Sequence, residues 1–155
     1  MRRTAPRTPV RVLAVAGLLL SPLSACSVPG RGPDAEEALQ RLATSMAAGK
    51  VEDVDFAGDA AGARTSFAEV TEGVRARWGD PRVSAGAVST DGDSASGELS
   101  WRWRLGSQAW SYRSDVQLTK GDTADGEAWL VRWSPAVVEP SLRPGEVLAG
   151  STIKP

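Results

Sequence analysis

Large apolar residues recur at every second position in three segments after Pro81, and this pattern constrains the fold more than any other feature of the chain. The residues are Leu99, Trp101, Trp103 and Leu105 in the first segment, Trp110, Tyr112, Val116 and Leu118 in the second, where Ser114 is the polar interruption, and Trp129, Val131 and Trp133 in the third. A period of two residues is typical of a β-strand with one buried face. A weaker strand is predicted over residues 82–90, followed by an Asp-Gly hairpin turn. The sequence therefore predicts four antiparallel strands, with turns at residues 106–108 and 120–127.

The part of the chain before Pro81 has a helical pattern instead. A first helix is predicted between Asp34 and Gly49, because Asp34 can cap the first turn and Gly49 can close the last. A second helix is predicted over residues 65–78, and the small, glycine-rich residues 57–63 are predicted to form a loop. The predicted core positions are Leu39, Leu42, Ala43 and Met46, then Phe67, Val70, Val74 and Trp78. Helices followed by strands predict an α+β fold, with the helices packed on a curved antiparallel sheet of about four strands that forms a cone.

Composition argues against several classes of function. The chain has 155 residues, enough for one domain, with no histidine or asparagine and one cysteine. Histidine is the commonest metal ligand and acid–base group near neutral pH, so neither a metal nor another cofactor is predicted. The net charge is −1, and without the four arginines that precede Cys26 the remainder carries −5. An acidic chain of this kind is a poor candidate for binding nucleic acid.

The N-terminus has the pattern of a secretion signal. Four arginines within residues 2–11 precede an apolar run at residues 12–20, which is too short to span about 30 Å of hydrocarbon. The Leu-Ser-Ala-Cys sequence that ends at Cys26 resembles a bacterial lipobox, whose cysteine is lipidated; an ordinary secretory signal is the alternative. We expect residues 1–25 to be a lipoprotein signal peptide and residues 26–33 a tether. The protein would then be lipid-anchored on the outer face of the bacterial cytoplasmic membrane.

The segment after Trp133 is rich in proline. Pro135 lacks the backbone donor that a central strand needs, so the last strand is predicted to end there or to lie at an edge. Pro140 and Pro144 follow within ten residues of it, and the segment is predicted to leave the domain in an extended conformation. Residues 34–148 are expected to form the domain, and residues 149–155 a C-terminal tail.

The closing segment resembles one known family. It is similar to the MecA-type N-terminal domain of class B penicillin-binding proteins, in which a Trp-x-Val-x-Trp strand is followed by Ser-Pro and later by Pro, Leu and Gly. The matching residues are Trp129, Val131, Trp133, Ser134, Pro135, Pro140, Leu142 and Gly145. The resemblance covers about residues 34–148 and implies a nuclear transport factor two-like fold. It also implies a non-catalytic domain that holds a transpeptidase away from the membrane, and a link to penicillin binding, the β-lactam response and peptidoglycan synthesis. The dimerisation and transpeptidase regions of that family are missing here.

A Ser-x-x-Lys sequence at Ser151 and Lys154 matches a pattern of penicillin-binding enzymes. That chemistry requires the serine at the start of a helix and the lysine one turn later, and the chain ends at Pro155. The Ser-x-Asn and Lys-Thr-Gly partners are also absent. We therefore expect this sequence to be part of the tail and the protein not to be an enzyme.

The strand residues leave two interpretations open. The tryptophans form a core, or the rings of Trp101, Trp103, Trp110 and Tyr112 line a ligand cavity in the mouth of the cone. Arg102 and Arg104 lie on a solvated outer face or mark a surface for a partner. Tyr112 and Asp115 are three residues apart on one strand and point to opposite faces, which argues against an acid–base pair.

These features together predict a non-catalytic, membrane-anchored accessory domain that acts in cell-wall synthesis or the β-lactam response. Its predicted partner is a transpeptidase or another cell-wall protein, with no nucleic acid and no metal. One alternative is a free-standing lipoprotein that binds a small apolar ligand in the cone. Another is a fragment of a longer gene.

Overall fold

The computed structural model describes residues 33–148, and they form an α+β fold in which two helices pack on a four-stranded antiparallel sheet. The elements follow one another as α1 (Ala35–Ala48), α2 (Ala60–Trp78), β1 (Arg82–Asp91), β2 (Ser94–Leu105), β3 (Gln108–Thr123), β4 (Gly126–Arg132) and a short 3₁₀ helix (Pro135–Val137). The predicted order of helices and strands is confirmed. The predicted lipidation site Cys26, the predicted signal peptide and the Ser151–Lys154 sequence lie outside the described residues.

Helix α1 has the predicted ends. The side chain of Asp34 accepts a hydrogen bond from the backbone N–H of Glu36 at 2.9 Å, which satisfies one of the free donors of the first turn. Gly49 closes the helix in the left-handed conformation with φ of 71°, a region that favours glycine. The four core positions predicted for this helix, Leu39, Leu42, Ala43 and Met46, are all fully buried.

Helix α2 begins earlier than predicted. Residues 57–63 were expected to be a loop, but the helix starts at Ala60, so the second half of that prediction is wrong. The cause is Asp59, whose carboxylate accepts a hydrogen bond from the N–H of Gly62 at 2.9 Å and so caps the helix. Gly62 is the residue that leaves room for this cap, because a Cβ there would lie 2.3 Å from a carboxylate oxygen of Asp59.

Arg75, near the end of α2, joins the two helices. Its guanidinium donates to the carbonyls of Met46 and Ala47 at the C-terminus of α1, where the helix dipole favours a cation. It also forms an ion pair with Asp80, just beyond α2. Burial lowers the pKa of Arg75, and Asp80 opposes this shift. Gly49 allows the close approach, because a Cβ there would lie 2.8 Å from Arg75 Nη1.

The four strands form a simple meander in the order β1-β2-β3-β4. The third hairpin is longer than predicted, since β3 runs on to Thr123 and β4 already begins at Gly126. The predicted turn at residues 120–127 is therefore wrong except at Ala124 and Asp125. These strand ends are polar because they extend beyond the helices, and their backbone groups remain paired with each other, as Lys120 is with Trp129.

The closing strand β4 completes the core and is itself covered at its free edge. Trp129 and Val131 are buried, and the backbone on either side of Phe56 forms a parallel bridge with Val131. The indole N–H of Trp129 donates to the carbonyl of Pro33 at 3.1 Å, which ties the beginning of the domain to its last strand. This contact places the point where the chain enters the domain beside β4.

The segment after β4 does not leave the domain as predicted. Pro135 begins a 3₁₀ helix instead of an extended run, and Val137 and Val138 are buried in the core. Further along, the N–H of Leu148 donates to the carbonyl of Val70 in α2 at 3.1 Å. The prediction of an extended exit is wrong because the apolar residues between the prolines are drawn back onto the helices.

Two tryptophans of β2 have buried indole N–H groups, and each N–H donates a hydrogen bond to a side chain on β3. Trp101 Nε1 donates to Ser114 Oγ at 2.9 Å, and Trp103 Nε1 donates to the hydroxyl oxygen of Tyr112 at 3.1 Å. Ser114 in turn donates to the carbonyl of Val137 at 2.6 Å. This buried hydrogen-bond chain joins β2, β3 and the 3₁₀ helix.

Replacing Ser114 with alanine is expected to lower the free energy of unfolding by about 2–4 kcal/mol. The change leaves the Trp101 N–H and the Val137 carbonyl buried without partners, and each unsatisfied group costs roughly 1–3 kcal/mol. Urea denaturation measures the difference. Ser111→Ala on the exposed face of the same strand is the control and should change stability by less than about 0.5 kcal/mol. Equal effects of the two substitutions would contradict a structural role for Ser114.

Candidate interaction surface

The four residues predicted to line a cavity lie together on the helix-facing side of the sheet. Trp101 is paired with Tyr112, and Trp103 with Trp110, across the β2–β3 ladder. Trp78 from the end of α2 packs edge-on against Trp103 and Trp110, with ring centroids 6.5 and 6.2 Å apart. Trp101 and Trp103 are only 1% and 0% exposed. The rings therefore form one aromatic cluster, with Trp78 beside its outer members.

Tyr112 is the titratable member of this cluster. Burial raises the pKa of the Tyr112 hydroxyl above its ordinary value, the hydrogen bond from Trp103 opposes the shift, and the negative charge of Glu139 adds to it. Asp115 lies on the opposite, exposed face of β3, where it is the cross-strand neighbour of Glu98. Tyr112 therefore serves as a neutral hydrogen-bond acceptor inside the domain.

Hydroxyl groups within residues 33–148 are not arranged as activated nucleophiles. Ser114 is buried and occupied by Trp101 and Val137. Ser141 is the one hydroxyl in this range that donates to a carboxylate, that of Glu139 two residues away in an exposed turn. None is hydrogen-bonded to a lysine. In the same range, no group of three or more Cys, Asp or Glu residues is placed to hold a metal ion.

Neither helix of the described domain has the length and apolar composition needed to cross a membrane.

The outward face of the sheet carries a group of arginines, which we call the arginine surface: Arg82 on β1, Arg102 and Arg104 on β2, and Arg113 on β3. All four are exposed, so the predicted solvated position of Arg102 and Arg104 is confirmed. Residues 33–148 contain 12 Lys and Arg against 19 Asp and Glu, a net charge of −7. The arginine surface is therefore a local exception on an acidic domain.

Two of these arginines are direct cross-strand neighbours. Arg82 is opposite Arg102 in the β1–β2 register, and like charges in this position destabilise a sheet. Within the described residues, neither they nor Arg104 form an ion pair, whereas Arg113 pairs with Glu98 at 3.4 Å. Asp80 lies nearby but is bound to Arg75. Arg82 and Arg102 thus face each other in the folded state without an ion pair of their own among the described residues.

Two open depressions meet at this pair. The larger, of about 780 Å³, is lined by residues of three strands and two neighbouring segments: Ala47, Pro81, Arg82, Val83, Ser84, Ser100, Trp101, Arg102, Ser111, Tyr112 and Arg113. The smaller, of about 220 Å³, is lined by Asp80, Arg82, Arg102 and Arg104. Guanidinium groups beside serine hydroxyls supply hydrogen-bond donors, so the depressions suit an anionic group. Trp101 and Tyr112 border the larger depression, while Trp103 and Trp110 do not.

The sequence predicted only half of this surface. Arg102 and Arg104 stand out because they alternate with tryptophans on β2. Arg82 lies in the weakly patterned strand β1 and Arg113 in β3, and only the cross-strand register brings them beside β2. The alternation of β1 marked Arg82 as a strand residue but could not reveal which residue faces it.

No protein-family model matches this chain, and a search of curated proteins finds no match either.

Alkaline pH is expected to weaken the domain through Tyr112. In the unfolded chain this tyrosine loses its proton near its ordinary pKa of 10.0, whereas the folded domain keeps the proton because its pKa is raised. The free energy of unfolding should therefore be fully retained below pH 10 and fall as the pH rises above it. Urea denaturation from pH 8 to 11.5 measures this free energy. Tyr112→Phe has no hydroxyl proton to lose at this position, so the difference in free energy of unfolding between wild type and variant should become smaller as the pH rises. Parallel curves for the two proteins would contradict the assignment.

Removing one member of the cationic pair is expected to stabilise the domain. Arg102→Gln relieves the repulsion from Arg82 and should raise the free energy of unfolding by about 0.2–1 kcal/mol at low salt, with a smaller gain at high salt. The matched control is Arg132→Gln, on the same outward face but opposite the uncharged Gln117. Thermal denaturation at two salt concentrations measures both variants. A loss of stability in Arg102→Gln would show that the pair is not repulsive.

Proposed function

We propose that this protein is a non-catalytic, lipid-anchored accessory domain of the MecA N-terminal type, with a nuclear transport factor two-like fold. It works on the outer face of the bacterial cytoplasmic membrane and contributes to peptidoglycan synthesis or the β-lactam response. It acts through contacts with a transpeptidase or another cell-wall protein. The lipobox that ends at Cys26 supports the location, and the closing-segment resemblance supports the class.

The observation that carries the proposal is the behaviour of the closing motif. Trp129 and Val131 are buried, and Trp133 packs edge-on against Phe56 and Phe67 with ring centroids 6.0 and 6.1 Å apart. Pro135 is also buried, whereas Pro140 is exposed. The conspicuous residues of the motif thus hold the strand in the core, as a scaffold requires, and present no reactive group.

The outer surface supports a role in protein contacts. The arginine surface is exposed and open, and it places Arg82 directly opposite Arg102 in the sheet, a position in which like charges destabilise strand pairing. Surface features that lower stability are commonly retained for function. A surface that binds an anionic partner accounts for this feature.

A small apolar ligand is less well supported. The aromatic cluster is packed by Trp78, and the depression that Trp101 and Tyr112 border also presents Arg82, Arg102 and Arg113. An apolar ligand seated there would remove these charged groups from water without giving them a partner, which is costly.

Labelling of membranes with a fluorescent penicillin tests the proposal, because the label acylates the serine of active transpeptidases. We expect no label on this chain. After chemical cross-linking, we expect a labelled transpeptidase to be recovered in a complex with it. The control is Cys26→Ser, which removes the lipidation site and should release the chain from membranes and abolish the complex.

Two results would contradict the proposal. Label on the chain itself, lost in Ser151→Ala, would identify an enzyme. Failure to recover any labelled transpeptidase or other cell-wall protein from the wild-type membranes would remove the accessory role.

A further inference from the structure

The arginine surface has a regular spacing along β2. Its positions 100, 102 and 104 point to the same side, and successive outward positions on a strand are about 6.6–6.8 Å apart. Ser100 shares its row with Arg113, Arg102 shares its row with Arg82, and Arg104 comes next. Three successive rows of the sheet therefore each present at least one guanidinium group.

An extended peptide has the same repeat. Its side chains alternate between two faces, so residues two apart in its sequence are also about 6.6–6.8 Å apart. Carboxylates at every second position of such a peptide would meet the three cationic rows in register. An α-helix advances only about 5.4 Å per turn, so its charges match this interval less closely than those of an extended segment.

The position of the surface disfavours the protein's own membrane as the ligand. Ala47, in the last turn of α1, borders the larger depression, whereas the chain enters the domain at Asp34, at the other end of that helix. A helix of 14 residues is about 21 Å long. The surface therefore lies away from the end that the predicted lipid anchor would hold.

Nucleic acid is disfavoured by charge. The domain carries a net −7, with Glu98 and Asp115 directly beside the arginine surface on the same face. A phosphate backbone would run into these carboxylates, whereas a short acidic segment need cover only the three basic rows.

We infer that the arginine surface is a docking site for an extended acidic segment of a partner protein, whose carboxylates at alternate positions face the row of Arg113, the row shared by Arg82 and Arg102, and the row of Arg104. The inference rests on the proposed role in protein contacts and adds the chemistry of the partner. The serine hydroxyls of Ser84 and Ser111, which line the larger depression, supply further donors to the bound segment. Binding also relieves the repulsion between Arg82 and Arg102, because a carboxylate between them is attracted to both.

Fluorescence anisotropy of labelled peptides tests this inference on the full chain in a neutral detergent. One probe is a seven-residue peptide that alternates threonine and glutamate. A second has the same composition with its glutamates consecutive, and a third has glutamine in place of glutamate. We expect the alternating peptide to bind more tightly than the clustered one, and the glutamine peptide not to bind. Raising the salt from 0.05 to 0.5 M should weaken the binding.

Substitutions identify the site. Arg82→Gln and Arg102→Gln should each weaken the alternating peptide about two- to fivefold, and the double variant about tenfold, as expected for exposed ion pairs. Arg132→Gln, on the same outward face, is the matched control and should leave the affinity unchanged. Because loss of Arg102 is expected to stabilise the fold, thermal denaturation separates lost binding from unfolding.

Three outcomes would overturn the inference. The first is equal affinity for the alternating and clustered peptides. The second is equal weakening by Arg132→Gln. The third is no peptide binding together with binding to vesicles of phosphatidylglycerol that the double variant abolishes, which would assign the surface to a lipid headgroup. The penicillin cross-linking experiment distinguishes this inference from the proposed function. A transpeptidase complex that still forms with the double variant would contradict this inference and leave the accessory role intact.

Discussion

Burial of the indole rings of β2 is the constraint on which the rest of the structure depends. Each ring removes a large apolar area from water, but its N–H group must keep a hydrogen-bond partner. Trp101 finds one in Ser114 and Trp103 in Tyr112, both on β3. These bonds favour one register of the two longest strands. Ser114 then donates to Val137 and so holds the segment after the closing strand in the core.

The same constraint gives the sheet one buried face and one exposed face with different roles in stability. The helix-facing side of β2 and β3 is committed to the aromatic cluster, and a shift of one residue in register would turn every ring toward water. The outward side buries no aromatic ring, and its residues contribute little to the core. Arg82 and Arg102 sit there as an opposed cationic pair, which folding alone does not favour. The sheet thus separates a buried face that stabilises the fold from an exposed face that carries the opposed arginines.

The sequence predicted those features that depend on local pattern. Strict alternation identified the buried face of β2, β3 and β4, and the capping residues fixed both ends of α1. Prediction from the sequence failed where contacts between residues far apart in the chain determine the local structure. The 3₁₀ helix at Pro135 forms because Ser114 and the helices draw its apolar neighbours inward, which composition does not reveal. The surface was half predicted for the same reason: Arg82 joins Arg102 only through a register that the weak pattern of β1 does not specify, and β1 is further offset by an irregularity between Ala85 and Val88.

The helices connect the two ends of the domain mechanically. At one end, Trp129 donates to the carbonyl of Pro33, so the start of α1 is fixed to the closing strand. At the other end, Arg75 binds the last carbonyls of α1 and pairs with Asp80, which borders the smaller depression of the arginine surface. The N-terminal end of α1 is thus bonded to β4 and its C-terminal end to α2, so α1 spans the distance between these two contacts. The start of α1 and the border of the arginine surface are therefore linked through α1, α2 and one set of hydrogen bonds and ion pairs.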